Sequence, residues 1–128
     1  MNVKAAAIRR RREHKYHARA VARCVHCGQR HPSQVEAARC AHLHLLIKAG
    51  DIQHVDVHPS VSLPGGTYRP DFGVWPWGAG RPTYEEVKGI LTAVFVRIRR
   101  EFDRVHPAAP LRVIRGRRTK TGWTWREI

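Results

Sequence analysis

Acidic side chains are scarce in this sequence, with 10 Asp plus Glu against 24 Lys plus Arg. Two of them nevertheless stand side by side in Tyr84-Glu85-Glu86-Val87-Lys88-Gly89. The stretch reads as a short strand, on which residues two apart share a face. Glu86 and Lys88 then project together, Val87 turns to the core, and Glu85 faces the other way as a non-catalytic acid. Asp71, within Arg69-Pro70-Asp71-Phe72, falls on the preceding predicted strand, where Pro70 marks an edge or a bend. Antiparallel pairing through the Pro- and Gly-rich turn at 76–82 brings Asp71 towards Glu86. Converging carboxylates suit a hard divalent cation such as Mg2+ or Mn2+, which prefers oxygen ligands and keeps several waters. Such an ion stabilises charge on a phosphate oxygen and acidifies a bound water, and an adjacent lysine orients that water or steadies the transition state. The chemistry this set can supply is therefore phosphodiester hydrolysis. The plainer reading is a solvated strand end carrying an ordinary Glu–Lys pair.

A second set has the spacing of a transition-metal site. Cys24-x2-Cys27-x12-Cys40-x3-His44 resembles a hairpin-helix zinc finger with Cys in place of its first His. Cys40 and His44, at i and i+4, share a helix face. His31 and His42 are rival fourth ligands. Four protein ligands leave no open position, so a zinc ion here would be structural. The alternative is three reduced cysteines packed as small hydrophobes.

These residues must be carried by definite elements. Residues 20–31 read as two short strands around the Cys24–Gly28 turn, and the span 20–48 as a hairpin and helix around the zinc ligands. Ser33 can cap a helix that Gly50 ends, with Val35, Ala38, Leu45, Leu46 and Ala49 close to one apolar stripe. Three strands follow, over 52–63, 67–75 and 83–89. A second helix runs from Ile90 to Val105 with Leu91, Val94, Phe95, Ile98, Phe102 and Val105 inward, and His106-Pro107 stops it. Two strands close the chain around a basic turn. The expected class is α+β, a mixed sheet flanked by helices, preceded by a basic arm over 1–19 and forming one domain over 20–128.

The formal charge is +14 and the isoelectric point near 11.2, which points to a polyanion, and nucleic acid above all. No basic helix with a broad apolar face supports a membrane surface instead. No apolar run of membrane-spanning length and no signal-peptide core occurs, so a soluble, cytoplasmic protein is expected. Candidate phosphate contacts are Arg9, Arg10, Arg11, Arg12 and Lys15 of the arm, Arg97, Arg100 and Arg104 of the second helix, and Arg115, Arg117, Arg118 and Lys120 near the C-terminus.

Taken in order, Arg69-Pro70-Asp71-Phe72 and Glu85-Glu86-Val87-Lys88-Gly89 resemble the signature of the PD-(D/E)XK nuclease superfamily, whose core is helix, three strands, helix, strand. Within it, the sequence resembles more particularly small phage-encoded nucleases and archaeal-type Holliday junction resolvases, over roughly residues 15 to 105. Ser33-Gln34-Val35-Glu36-Ala37 matches the phage group's helix start, and Ala49-Gly50-Asp51-Ile52 its helix end. His58-Pro59 departs from the Gln-Pro usual in that group. The resemblance implies that Asp71 and Glu86 bind Mg2+, that Lys88 is the catalytic lysine, and that Glu36 completes the site directly or through water. Glu36 can equally close a capping box with Ser33. A restriction-endonuclease-like fold, a structure-specific Holliday junction resolvase and host cytoplasm for a phage-encoded protein are what the resemblance implies. Two symmetric nicks from one site per chain make a homodimer. Alternatives are a non-catalytic zinc-finger-like DNA-binding protein and a nuclease for plain duplex DNA or RNA.

Overall fold

The computed structural model describes residues 23–88 and 90–128. The expected arm, with Arg9 to Arg12 and Lys15, lies outside the described residues, as does the start of the predicted hairpin.

Helix α1 spans Gln34–Ala49. Ser33 starts it by accepting the Glu36 N–H at 3.2 Å, and Gly50 ends it in the left-handed region at φ 84°. Its inward face differs from the expected stripe. Glu36, Arg39, Cys40 and Leu43 are buried, whereas Leu45 is 62% exposed. An apolar pattern cannot find a helix face that spends its inner positions on a carboxylate, a guanidinium and a thiol.

The three predicted strands after α1 become five shorter ones: β1 (His54–Val57), β2 (Val61–Leu63), β3 (Gly66–Tyr68), β4 (Phe72–Trp75) and β5 (Thr83–Val87). β1 pairs antiparallel with β4 and β2 with β3, so the segment 54–75 is one long hairpin broken in both arms. The breaks fall at His58-Pro59 and Pro70-Asp71, because proline cannot donate to a ladder. His58 takes φ 53°, a left-handed value for a residue with a side chain. Its N–H bonds the Asp71 carbonyl at 3.0 Å, so the two broken arms stay joined at the bend.

Helix α2 (Ala93–Val105) and the hairpin β6 (Arg112–Thr119) and β7 (Gly122–Glu127) complete the fold. The main sheet has the order β1-β4-β5-β6-β7, with β2 and β3 forming a separate pair. Only β5 and β6 run parallel among its neighbours, with α2 as their crossover. The fold is therefore α+β, a mixed central sheet flanked by helices, as the element pattern indicates.

Cys40 and Leu43 of α1 pack with Val55, Phe72 and Val74 in one core cluster, while Phe95 and Phe102 of α2 pack with Val61, Leu111 and Val113 in another. Only Phe95 and Phe102 of the expected inward stripe of α2 are buried. Val94 is 60% exposed, and Leu91 and Val105 are exposed too. Two phenylalanines two turns apart fill the narrow strip between α2 and the sheet, leaving the flanking positions to solvent.

Gly116 on β6 lets Trp125 and Val35 close over the sheet. A Cβ at that position would stand 2.5 Å from the Trp125 ring and 2.7 Å from Val35. Gly116→Ala is expected to lower unfolding free energy by about 1–3 kcal/mol through overpacking. Urea titration followed by Trp fluorescence measures it, and an unchanged midpoint would contradict the contact.

The predicted strands around the cysteines are not found among the described residues, where 25–29 form a turn instead. Cys24 N–H bonds Gln29 C=O, and Gly28 N–H bonds Cys24 C=O, both at 2.8 Å. Bonds nested within six residues close a knuckle rather than a ladder among these residues. No helix among the described residues is long and apolar enough to cross a membrane.

Candidate active site

The broken hairpin delivers Asp71 to the end of β5. Asp71 Oδ2 accepts the Val87 N–H at 2.7 Å, which fixes the carboxylate beside Glu86. Glu86, itself buried, accepts the Tyr68 hydroxyl at 2.5 Å and pairs with Lys88 Nζ at 3.2 Å. The ammonium of Lys88 also lies 4.9 Å from the centre of the Phe95 ring. Glu36 enters from the first turn of α1. Its side chain does not turn back to Ser33: Oε2 accepts from His31 Nδ1 at 2.5 Å and from His58 Nε2 at 3.1 Å. The cap uses only the Glu36 backbone, which leaves the carboxylate to His31 and His58.

Electrostatics single out the same residues. Burial, then hydrogen bonding to Glu36 and its charge, push Asp71 up to about 7 from 3.8, against the opposing Val87 N–H and Lys88. Burial and the Asp71 charge raise Glu86 as well, with Tyr68 and Lys88 opposing. Burial keeps the Tyr68 hydroxyl protonated as a donor. Carboxyls that suppress one another's ionisation in a strongly basic protein form the kind of group a cation would relieve.

A pH dependence follows from this shift. The folded-state value of Asp71 lies above its unfolded value, so its contribution to stability is full below pH 3.8 and is lost as pH rises through about 7. In metal-free protein the contribution falls across that window, and Asp71→Asn is expected to remove that part of the slope. Urea unfolding from pH 4 to 8 on both proteins checks it, and identical slopes would contradict it.

Four residues around the knuckle form a tight cluster. The ligand atoms of Cys24, Cys27, His31 and Cys40 all lie within 4.8 Å of one another. Cys27 Sγ is 3.4 Å from His31 Nε2, and Cys24 Sγ is 3.9 Å from Cys40 Sγ. His31, rather than the expected His44, completes this group of potential ligands. His44 Nδ1 lies 3.6 Å from Cys40 Sγ but nearer, at 2.8 Å, to the Cys40 carbonyl one turn back along its own helix, and His42 lies against Trp125. The clue was Cys27-x3-His31, placed just before the helix start, which competed with the more familiar i, i+4 spacing. Although burial opposes it, hydrogen bonds from the Cys27 and His26 backbone and from His31 lower the Cys24 thiol to about 7.

His31, Glu36 and His58 make a second compact group. These two clusters are the groups of metal-capable ligands found among the described residues. Glu36, Asp71 and Glu86 are linked in series rather than closed into one cage, with Asp71 between the other two.

Two important side chains have no motif. Arg39, one turn beyond Glu36, donates Nε and Nη2 to the two oxygens of Glu85 at 2.9 and 2.8 Å. Glu85 does face away from Glu86, but it is buried, and Arg112 adds a longer contact at 3.5 Å. This pair ties α1 to β5 and so holds Glu36 in register with Glu86. Tyr68, at the end of the broken arm, positions Glu86 in turn.

Arg97, Arg100 and Arg104 are exposed on α2, and Arg117, Arg118 and Lys120 at the β6–β7 turn, while Arg115 is partly buried. Comparison with protein-family models, curated proteins and solved structures finds no match to this chain.

Proposed function

We propose that the protein is a metal-dependent DNA endonuclease with a restriction-endonuclease-like core, acting as a structure-specific Holliday junction resolvase. The observation that carries this reading is the meeting of Glu36, Asp71, Glu86 and Lys88 from α1, the hairpin bend and β5. The element order α1, β1, β4, β5, α2, β6 supports it, since it follows the helix, three strands, helix, strand of the PD-(D/E)XK nucleases.

Asp71 and Glu86 would hold Mg2+ or Mn2+, with Glu36 reaching it directly or through water; the donor set is all oxygen, as these ions require. The ion, when bound, neutralises phosphate charge and acidifies a water. Lys88, steadied by Glu86 and Phe95, places its ammonium where charge develops on the scissile phosphate. Tyr68 keeps one Glu86 oxygen fixed. The exposed arginines of α2 and of the β6–β7 turn position the backbone through phosphates, which suits recognition of DNA shape. Cys24, Cys27, His31 and Cys40 would bind a structural zinc. Two cuts related by symmetry require a homodimer, working in the cytoplasm.

Incubating the protein with labelled four-way junction, duplex, single-stranded DNA and RNA in Mg2+ tests the proposal. Paired nicks across the junction are expected. Cutting without preference for the junction would leave a general nuclease, and DNA binding with no cutting would favour the zinc-finger-like binding protein.

A further inference from the structure

One residue belongs to both metal-capable clusters through opposite sides of its ring. His31 Nε2 faces Cys27 Sγ at 3.4 Å, and His31 Nδ1 meets Glu36 Oε2 at 2.5 Å. The ring is 2% exposed, so it has little freedom to turn. Glu36 carries the link onward, to His58 at 3.1 Å and to Asp71. A thiolate cluster and an acidic site are thus joined by one imidazole and one carboxylate.

We infer that metal held by Cys24, Cys27, Cys40 and His31 orients Glu36 for the cation of the acid site, with His31 as the positioning residue between the two centres. This rests on the nuclease reading for the identity of the second centre. A neutral imidazole bound to metal through Nε2 must carry its proton on Nδ1 and can only donate from there. That donor faces Glu36, and metal-bound histidines commonly donate to a carboxylate in this way. With the first metal absent, only the Glu36 carboxylate favours the proton on Nδ1, and nothing at Nε2 anchors the ring. The bond that aims Glu36 is then held less firmly. Glu36 retains His58 as a second donor, but His58 sits on the hairpin bend and is more exposed than His31. The first centre therefore governs the second without contacting its ion.

His31→Cys separates the two roles, because a fourth thiolate can still close the first site while nothing donates to Glu36. Zinc content per chain and the thiolate absorption of Co2+-loaded protein report the first centre. Mn2+ titration followed by electron paramagnetic resonance reports the second, with Asp71→Asn defining the signal of the acid site. The expected result is one zinc per chain in wild type and His31→Cys, with Mn2+ affinity at the acid site about 10- to 100-fold weaker in the variant, the usual cost of losing such a partner. Zinc removal from wild type should weaken Mn2+ binding similarly, provided circular dichroism shows the fold retained. Equal Mn2+ affinity in zinc-loaded wild type and zinc-loaded His31→Cys would overturn the coupling and leave the nuclease reading intact. Wild-type protein that binds no Mn2+ sensitive to Asp71→Asn would overturn both. A chain that takes up neither zinc nor Co2+ would overturn the coupling alone.

Discussion

Asp71→Asn is expected to abolish junction cleavage while leaving the fold at least as stable as wild type at pH 8. The amide keeps an oxygen to accept the Val87 N–H, so the local geometry survives. What disappears is the negative charge beside Glu36 and Glu86. A bound metal contributes several kcal/mol of charge stabilisation to such a reaction. At 1.36 kcal/mol per factor of ten, losing a ligand costs about a thousandfold or more in rate. Stability moves the other way, because wild type must hold Asp71 ionised against burial and its neighbours above pH 7. Single-turnover cleavage and thermal unfolding on the same samples measure both effects. Cleavage within tenfold of wild type would remove Asp71 from the site, and a large fall in stability would mean that its role is structural.

Glu85→Ala should have the largest effect on stability of any single acid substitution. It leaves Arg39 buried without its bidentate partner, and breaking a buried pair from one side costs about 3–5 kcal/mol. Arg112 offers no replacement, because it is a cation like Arg39 and itself loses its 3.5 Å contact with Glu85. Replacing both partners, as Arg39→Met with Glu85→Leu, should recover much of the loss, because no charge is left stranded. Equilibrium urea unfolding of the single and double variants tests this. A loss below about 1 kcal/mol for Glu85→Ala would place the pair with weak surface bridges.

The contrast between Glu85 and Glu86 shows what the sequence could reveal. Strand alternation separates them correctly, and the Pro-Asp and Glu-x-Lys spacings bring Asp71, Glu86 and Lys88 into one neighbourhood. The alternation of strands and helices also gives the mixed sheet. Arg39 and Tyr68 were not legible, because their roles depend on partners many residues away and follow no local period. The inward face of α1 was misread for a related reason. Its buried positions hold Glu36 and Arg39, whose burial is offset by His31, His58 and Glu85 rather than by apolar contact. The hairpin bend was signalled by Pro59 and Pro70, but the left-handed His58 between the arms was not. That His31 stands within the thiol group follows from the shape of the knuckle, which spacing alone does not describe.

The thiol cluster and the acid site also differ in how much chain must exist before each can form. Cys24 and Cys40 are 16 positions apart, whereas Arg39 and Glu85, which fix α1 against β5, are 46 apart. Contacts close in sequence close quickly and distant ones slowly. During synthesis the thiol cluster can assemble once α1 has emerged, while the acid site must await β5. A partly made chain can therefore hold its thiols together long before its carboxylates meet, so under the proposed nuclease activity cutting would have to await the finished sheet.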